Sequence, residues 1–264
     1  MLTRLPQFAG SFYPEEPQIL EGMINDYLEK ATVEKIKSKL KALIVPHAGY
    51  IYSGPIAAYG YKAIHPFSYK TVILLGPSHN FYVEGFVASP FEKWFTPLKE
   101  TESLTLKDFS LLKNNNLIKE SDEIHQLEHS LEVQLPFLQI VLKDFKIFPI
   151  LVGEVDILKG AEILNYFLDN LDKETLLIIS SDLSHYLKYE EAIKQDKVTI
   201  DAILDLDLER FLEYGDACGK VPIALLIALA KKHNLKAKLL KASNSGETAG
   251  FKDQVVGYAS IVFY

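Results

Sequence analysis

Thr71-Val72-Ile73-Leu74-Leu75-Gly76-Pro77-Ser78-His79-Asn80 is the stretch that decides the fold. A continuous apolar run feeds into a Gly-Pro breaker and then a histidine, the pattern of a buried strand that delivers an imidazole at its C-terminal end. Ala42-Leu43-Ile44-Val45-Pro46-His47-Ala48-Gly49-Tyr50 repeats the design, with a proline that stops the strand and a histidine directly after it. Ligands of open α/β sheets sit beyond the carboxyl ends of the strands, so His47 and His79 are candidates for one site. The plainer alternative is that each ring hydrogen-bonds within its own turn.

Outward from these two strands, the pattern alternates. Strands are expected to end at 46 and to span 71–76, 86–90, 147–152, 175–179, 236–242 and 255–263. Helices are expected over 15–30, 56–64, 104–113, 157–171, 190–204, 208–214 and 222–230, the second opening at Ser53-Gly54-Pro55 with proline in its first turn. Residues 95–98 read as irregular and 243–250 as a polar loop. This alternation predicts one α/β domain over 1–264, with three α/β/α layers around a mainly parallel sheet. Right-handed crossovers then gather the loops after the strands on a common edge. His47, His79, the Asp182 to His185 group and the loop with Glu247 all follow strands.

Composition narrows the function classes. The 264 residues are 48% hydrophobic and 24% charged, which suits a large globular core. No apolar run approaches the ~20 residues of a membrane span, and no secretory signal pattern opens the chain. The single cysteine, Cys218, excludes an internal disulfide framework and fits a reducing cytoplasm. Net charge is -7 with lysines scattered rather than clustered, so neither nucleic acid nor membrane is an expected partner.

Two histidines and a carboxylate on separate loops form the facial-triad chemistry that suits non-haem ferrous iron, while imidazole also suits zinc, copper and nickel. His185, near Asp182, is a candidate acid/base that moves protons beside a metal-bound ligand, with Asp182 orienting it. The competing reading makes Ser180-Ser181-Asp182 a helix cap. His129 and Glu132 are expected at i and i+3 on one helix face, to bind metal or to pair with each other. The Gly76-Pro77-Ser78 turn lacks the length and lysine of a phosphate-binding loop, and no Gly-x-Ser-x-Gly elbow occurs. Cys218 opens an apolar helix and reads as structural or supporting rather than nucleophilic.

Taken in order, Ala9-Gly10-Ser11-Phe12-Tyr13, Pro46-His47-Ala48-Gly49-Tyr50, Tyr52-Ser53-Gly54, Leu75-Gly76-Pro77-Ser78-His79, Thr96-Pro97-Leu98 and Glu128-His129-Ser130-Leu131-Glu132 resemble the Memo family. Ser180-Ser181-Asp182 with His185, Cys218-Gly219 with Pro222-Ile223, and Tyr258-Ala259 extend the resemblance over essentially the whole chain. This family includes protein B of the AmmeMemoRadiSam group and is similar in fold to class III extradiol dioxygenases. Those enzymes hold ferrous iron with two histidines and a glutamate and use a further histidine as acid/base. The resemblance implies His47 and His79 as metal ligands and His185 as the acid/base residue. In animal members a cysteine completes the site. Thr248 aligns with it, and Glu247, one residue earlier, is expected as the third ligand, with Thr248, Cys218 or water as alternatives. It further implies a divalent metal, Fe2+ first and Zn2+ or Cu+ as alternatives. Three functions follow: a redox-metal enzyme acting on a small molecule, a non-catalytic peptide- or metal-binding module, and a partner of a radical SAM enzyme. Animal members are associated with receptor signalling, phosphotyrosine-peptide binding and iron or copper handling.

Overall fold

A computed structural model describes residues 2–109, 115–170 and 174–264 of the chain. Its strands are β1 (Thr3–Arg4), β2 (Ala42–Val45), β3 (Thr71–Gly76), β4 (Phe86–Ala88), β5 (Lys93–Phe95), β6 (Glu100–Glu102), β7 (Ile118–Glu120), β8 (Lys146–Val152), β9 (Thr175–Ser180), β10 (His185–Leu187), β11 (Ala237–Asn244) and β12 (Val255–Phe263). Its helices are α1 (Pro17–Lys30), α2 (Tyr50–Ile64), α3 (Asp122–Gln126), α4 (Leu135–Val141), α5 (Ile157–Asn170), α6 (Tyr189–Leu204), α7 (Leu208–Tyr214), α8 (Lys220–Lys232) and α9 (Ser245–Ala249).

The large sheet runs β10-β12-β2-β9-β3-β8-β4-β7, with β11 paired to β12. Its centre, β2, β9, β3 and β8, is parallel. The flanks turn antiparallel, β12 against β2 and β4 against β8. Central strands covered on both faces need apolar side chains at every position, which is why 42–45, 71–75 and 175–179 lack alternation. Leu43, Val45, Val72, Leu74, Leu176 and Ile178 face one hydrophobic layer, shared with Leu20, Ala57 and Phe137 of α1, α2 and α4. Ala42, Ile44, Ile73, Leu75, Leu177 and Ile179 face the other, shared with Phe167, Ile203, Phe211 and Ile227 of α5, α6, α7 and α8. The three-layer α/β/α arrangement with a mainly parallel sheet therefore matches the expectation.

Register sets the functional edge. Val45 pairs with Ser180, Leu75 with Ile179 and Gly76 with Leu151, so β2, β9 and β3 end level and release Pro46, Ser181 and Pro77 on one side.

Several local expectations change. Helix α2 begins at Tyr50, with Pro55 inside it rather than in its first turn. Gly54 permits close packing there, because a Cβ would sit 2.6 Å from the Tyr27 ring of α1. Within 104–113 the described part is a 3-10 turn, Leu106–Asp108, closed by reciprocal hydrogen bonds between Thr105 and Asp108. Positions 110–113 of that expected helix, and 171 of the next, lie outside the described residues. The stretch expected to be irregular at 95–98 borders β5, which joins β1 and β6 in a second, three-stranded sheet. The polar loop contains the short helix α9, where Asn244 Oδ1 accepts from Gly246 and Glu247 N–H at 3.0 and 3.2 Å. Among the described residues no helix is long and apolar enough to cross a membrane.

Candidate functional site

Each histidine is set by the strand before it and by a carboxylate from elsewhere. His47 leaves β2 after Pro46, and its backbone N–H donates to Asp182 Oδ1 at 2.8 Å. Its Nδ1 lies 2.9 Å from Ser180 Oγ, at the end of β9. His79 leaves β3 through Pro77-Ser78, donating its backbone N–H to Glu128 Oε2 at 2.6 Å and placing Nδ1 2.9 Å from Glu128 Oε1. The two rings stand edge to face with centroids 5.1 Å apart.

Cys218 closes the group from a third direction. It precedes α8, whose N-cap Gly219 lies against Ser181, where a Cβ would come within 2.7 Å of that side chain. This close approach lets Cys218 N–H reach Asp182 O at 3.2 Å and sets Sγ 3.2 Å from His47 Nε2. Ligand atoms of His47, His79 and Cys218 all lie within 4.8 Å of one another, as do those of His79, Glu128 and His129. Donors bound to one ion at ~2.0 Å for nitrogen and ~2.3 Å for sulfur have such spacings, so two imidazoles and a thiol fit a borderline or soft transition metal.

Burial dominates the electrostatics. It pushes His47 down to about 3, helped by the neighbouring His79, so this ring is neutral at pH 7. Burial also lowers His129, to about 4, with His47 adding to it. Burial opposes ionisation of Glu128, yet the His79 hydrogen bond and charge bring its carboxyl down to about 2. The converse holds for His79, where burial pulls down but the Glu128 hydrogen bond prevails and raises it. Burial raises Asp182, and it pushes the Cys218 thiol well up with help from the Asp182 charge.

A cavity of about 570 Å³ opens over the cluster, and His47, His79, His129, Asp182 and His185 line it with Phe12, Tyr52, Tyr186, Phe251 and Tyr258. Tyr186 and Phe251 are 71% and 83% exposed, so the rim is aromatic and open to a ligand. No lysine or arginine is among the described residues that line it.

The structure thus brings His47, His79, Asp182 and His185 into one place. It does not bring Glu247 there. That carboxylate is exposed, accepts the Tyr189 hydroxyl proton, and lines a separate groove along α6. Capping by Asn244 turns the segment into α9, which aims Glu247 away from the histidines. Thr248 spends its hydroxyl on Asn244 O at 3.5 Å. Asp182 also differs from its expected part. Its hydrogen bonds go to the His47 and Ala48 amides, at 2.8 and 3.3 Å, and it reaches His185 by charge alone.

His129 and Glu132 do not share a helix face. His129 precedes the 3-10 turn Glu132–Gln134 and stacks between Phe12, at 4.4 Å, and His79, at 4.6 Å. Glu132 is fully buried and serves the N-terminus, accepting from Arg4, from the Gln7 and Phe8 amides at 3.0 and 2.8 Å, and from the Tyr13 hydroxyl at 2.6 Å. Glu128, which holds His79, went unassigned. The signal was its position in Glu128-His129-Ser130, a polar run ahead of an apolar one.

A family model described as Memo-like protein matches residues 4–262. A MEMO1 family protein of Saccharolobus islandicus is 38% identical over 285 residues, covering 99% of each chain. One from Archaeoglobus fulgidus is 39% identical over 271 residues, covering 98% of this chain and 99% of its own. A crystal structure of an uncharacterised protein from Escherichia coli is similar with a TM-score of 0.55 and 12% identity, over 84% of this chain and 99% of that one. The last likeness concerns the fold alone.

Proposed function

The chain belongs to the Memo-like family, and on that footing we propose that it is a metal-dependent redox enzyme acting on a small oxygen-donor molecule. His47, His79 and Cys218 would hold the ion. The observation that carries this reading is the 3.2 Å approach of Cys218 Sγ to His47 Nε2, with His79 beside them, where both histidines line a cavity that His185 also lines.

A redox-active ion in that position supplies Lewis acidity and electron transfer. The chain's own residues supply the rest. Phe12, Tyr52, Tyr186 and Phe251 offer flat aromatic surface against which a ligand is oriented. His185, which lines the same cavity, is placed to give or take a proton at the ligand's oxygen. The described lining has no arginine or lysine, the side chains that pair most strongly with phosphate, which favours a small oxygen-donor ligand over a phosphotyrosine peptide. Because the site needs Cys218 as a free thiol, the protein's place is a reducing compartment such as the cytoplasm.

Anaerobic purification with elemental analysis tests the binding. About one iron, zinc or copper per chain is expected, and most of it should leave in His79→Ala while the fold persists. Full stoichiometry in that variant sinks the site. Oxygen uptake by the iron-loaded protein over a panel of chelating small molecules tests the chemistry. His185→Ala should slow turnover far more than it reduces metal content, and no uptake across the panel counts against an enzyme.

A further inference from the structure

A neutral imidazole ligates through the nitrogen that lacks a proton, so the tautomer of His47 decides whether Nε2 is ready for a metal. The surrounding acceptors determine it. Gln134 sets Nε2 3.0 Å from Pro46 O and 2.7 Å from Ser180 Oγ, and its Oε1 receives the Tyr61 hydroxyl at 2.6 Å. The amide cannot be reversed, because its oxygen would then face the Pro46 carbonyl oxygen with no proton between them. Gln134 therefore donates to Ser180.

Ser180 has one hydroxyl proton, and Oγ lies 2.6 Å from Ser130 O. A carbonyl only accepts, so this proton goes to Ser130. One lone pair of Oγ is taken by Gln134. What remains for His47 Nδ1, 2.9 Å away, is an acceptor. Nδ1 must carry the ring proton, and Nε2 turns its lone pair toward Cys218 Sγ.

We propose that Ser180 is a positioning residue that locks neutral His47 in the Nδ1–H tautomer, so that Nε2 is preset as a ligand. The two carbonyls behind this lock are Pro46 O, next to His47 itself, and Ser130 O. Ser130 also donates its backbone N–H to Glu128 Oε1 at 2.8 Å, so the loop that holds His79 orders the protons at His47 as well. A Cβ on Gly76 would come within 2.8 Å of Ser130 Oγ, and the absence of one makes room for this junction. The ligand role of Nε2 rests on the proposed metal site, whereas the tautomer does not.

Two-bond 1H–15N correlation spectra of the metal-free protein at pH 8 test it. His47 should show a pyrrole-type Nδ1 and a pyridine-type Nε2. An Nε2–H ring, or an equal mixture, overturns the proposal even if metal binds. In Ser180→Ala the hydroxyl acceptor is gone, and the Nε2–H form should appear at His47 while His79 keeps its signals. Zn2+ affinity, read by competition with a chromogenic chelator, should fall about 10–100-fold in that variant, the usual loss when a ligand's hydrogen-bond partner is removed. An unchanged His47 spectrum in folded Ser180→Ala would assign the lock elsewhere. If the wild type binds no Zn2+ yet shows the expected spectrum, the metal reading fails and the tautomer lock stands.

Discussion

The carboxylate of Glu128 holds His79 twice, taking the backbone N–H at 2.6 Å on one oxygen and facing ring Nδ1 at 2.9 Å with the other. With Nδ1 committed, Nε2 is left for a metal, and the ring cannot turn without breaking a charge-assisted bond. Glu128→Gln keeps the shape but sets an amide NH2 against one of its donors. Zn2+ affinity should fall about 10–100-fold with the circular dichroism spectrum retained. Wild-type affinity in this variant would remove Glu128 from the site.

Arg4 and Glu132 form an ion pair with both side chains fully buried, and Arg4 also lies over the Trp94 ring, 4.3 Å from its centroid. Removing one partner strands the other charge. Arg4→Ala should therefore cost about 3–5 kcal/mol, read as a lower urea midpoint. Because Glu132 also anchors the Phe8 amide, Glu132→Ala should further loosen Phe8 and Phe12, which pack on His129 with ring centroids 5.6 and 4.4 Å away. An Arg4→Ala loss below about 1 kcal/mol would show that the pair adds little over solvation of the separate groups.

Asp196 sits behind His185, accepting the Ser184 N–H at 3.0 Å under Gly257, where a Cβ would lie 2.0 Å from its Oδ2. Burial raises this carboxyl from 3.8 to about 6, opposed chiefly by its hydrogen bonding to Ser184, with Asp216 adding to the rise. The folded state thus holds a proton that the unfolded chain has released. The stability tied to that proton is fully present below about pH 4 and is lost as pH rises through about 6. Asp196→Asn cannot ionise, so it should be more stable than wild type at pH 8 by up to about 3 kcal/mol, at about 1.4 kcal/mol per pH unit. The gap should close between pH 6 and 4. A gap independent of pH would mean that Asp196 is not the titrating group.

What the sequence made legible follows from the range of the interactions involved. His47, His79 and Asp182 each follow a buried apolar run, a local pattern, and the parallel register brings those ends together. Glu128 and Glu132 meet partners that are remote in sequence, His79 and Arg4, so no periodicity within their own segment separates the carboxylate that holds His79 from the one that ties down the N-terminus. Glu247 failed for a short-range reason. Asn244 caps a single helical turn, and the direction of a side chain on such a turn depends on backbone angles that composition does not reveal. Cys218 was visible as the only thiol, but its approach to His47 depends on Gly219 lying against Ser181 across the chain.

In the proposed site Cys218 stands where Glu247 was expected, and this changes which metal that site should favour. A hard carboxylate with two imidazoles prefers ferrous iron, which was the basis for expecting iron over cuprous copper, whereas a thiolate in its place shifts preference toward the softer ion. The Cys218 thiol is pushed up by burial, so it is protonated in the metal-free protein and must release that proton to ligate. Metal affinity should therefore rise with pH, and binding should release a proton into unbuffered solution. Cobalt loading gives the direct readout: the wild type and Glu247→Gln should share a thiolate-to-cobalt charge-transfer band, and Cys218→Ser should lack it. Titration should show Cys218→Ser losing cuprous copper more than ferrous iron, with Glu247→Gln unchanged for both. Loss of metal in Glu247→Gln, with Cys218→Ser unaffected, would mean that α9 unwinds to bring the carboxylate in, and the thiol would have no place in the site.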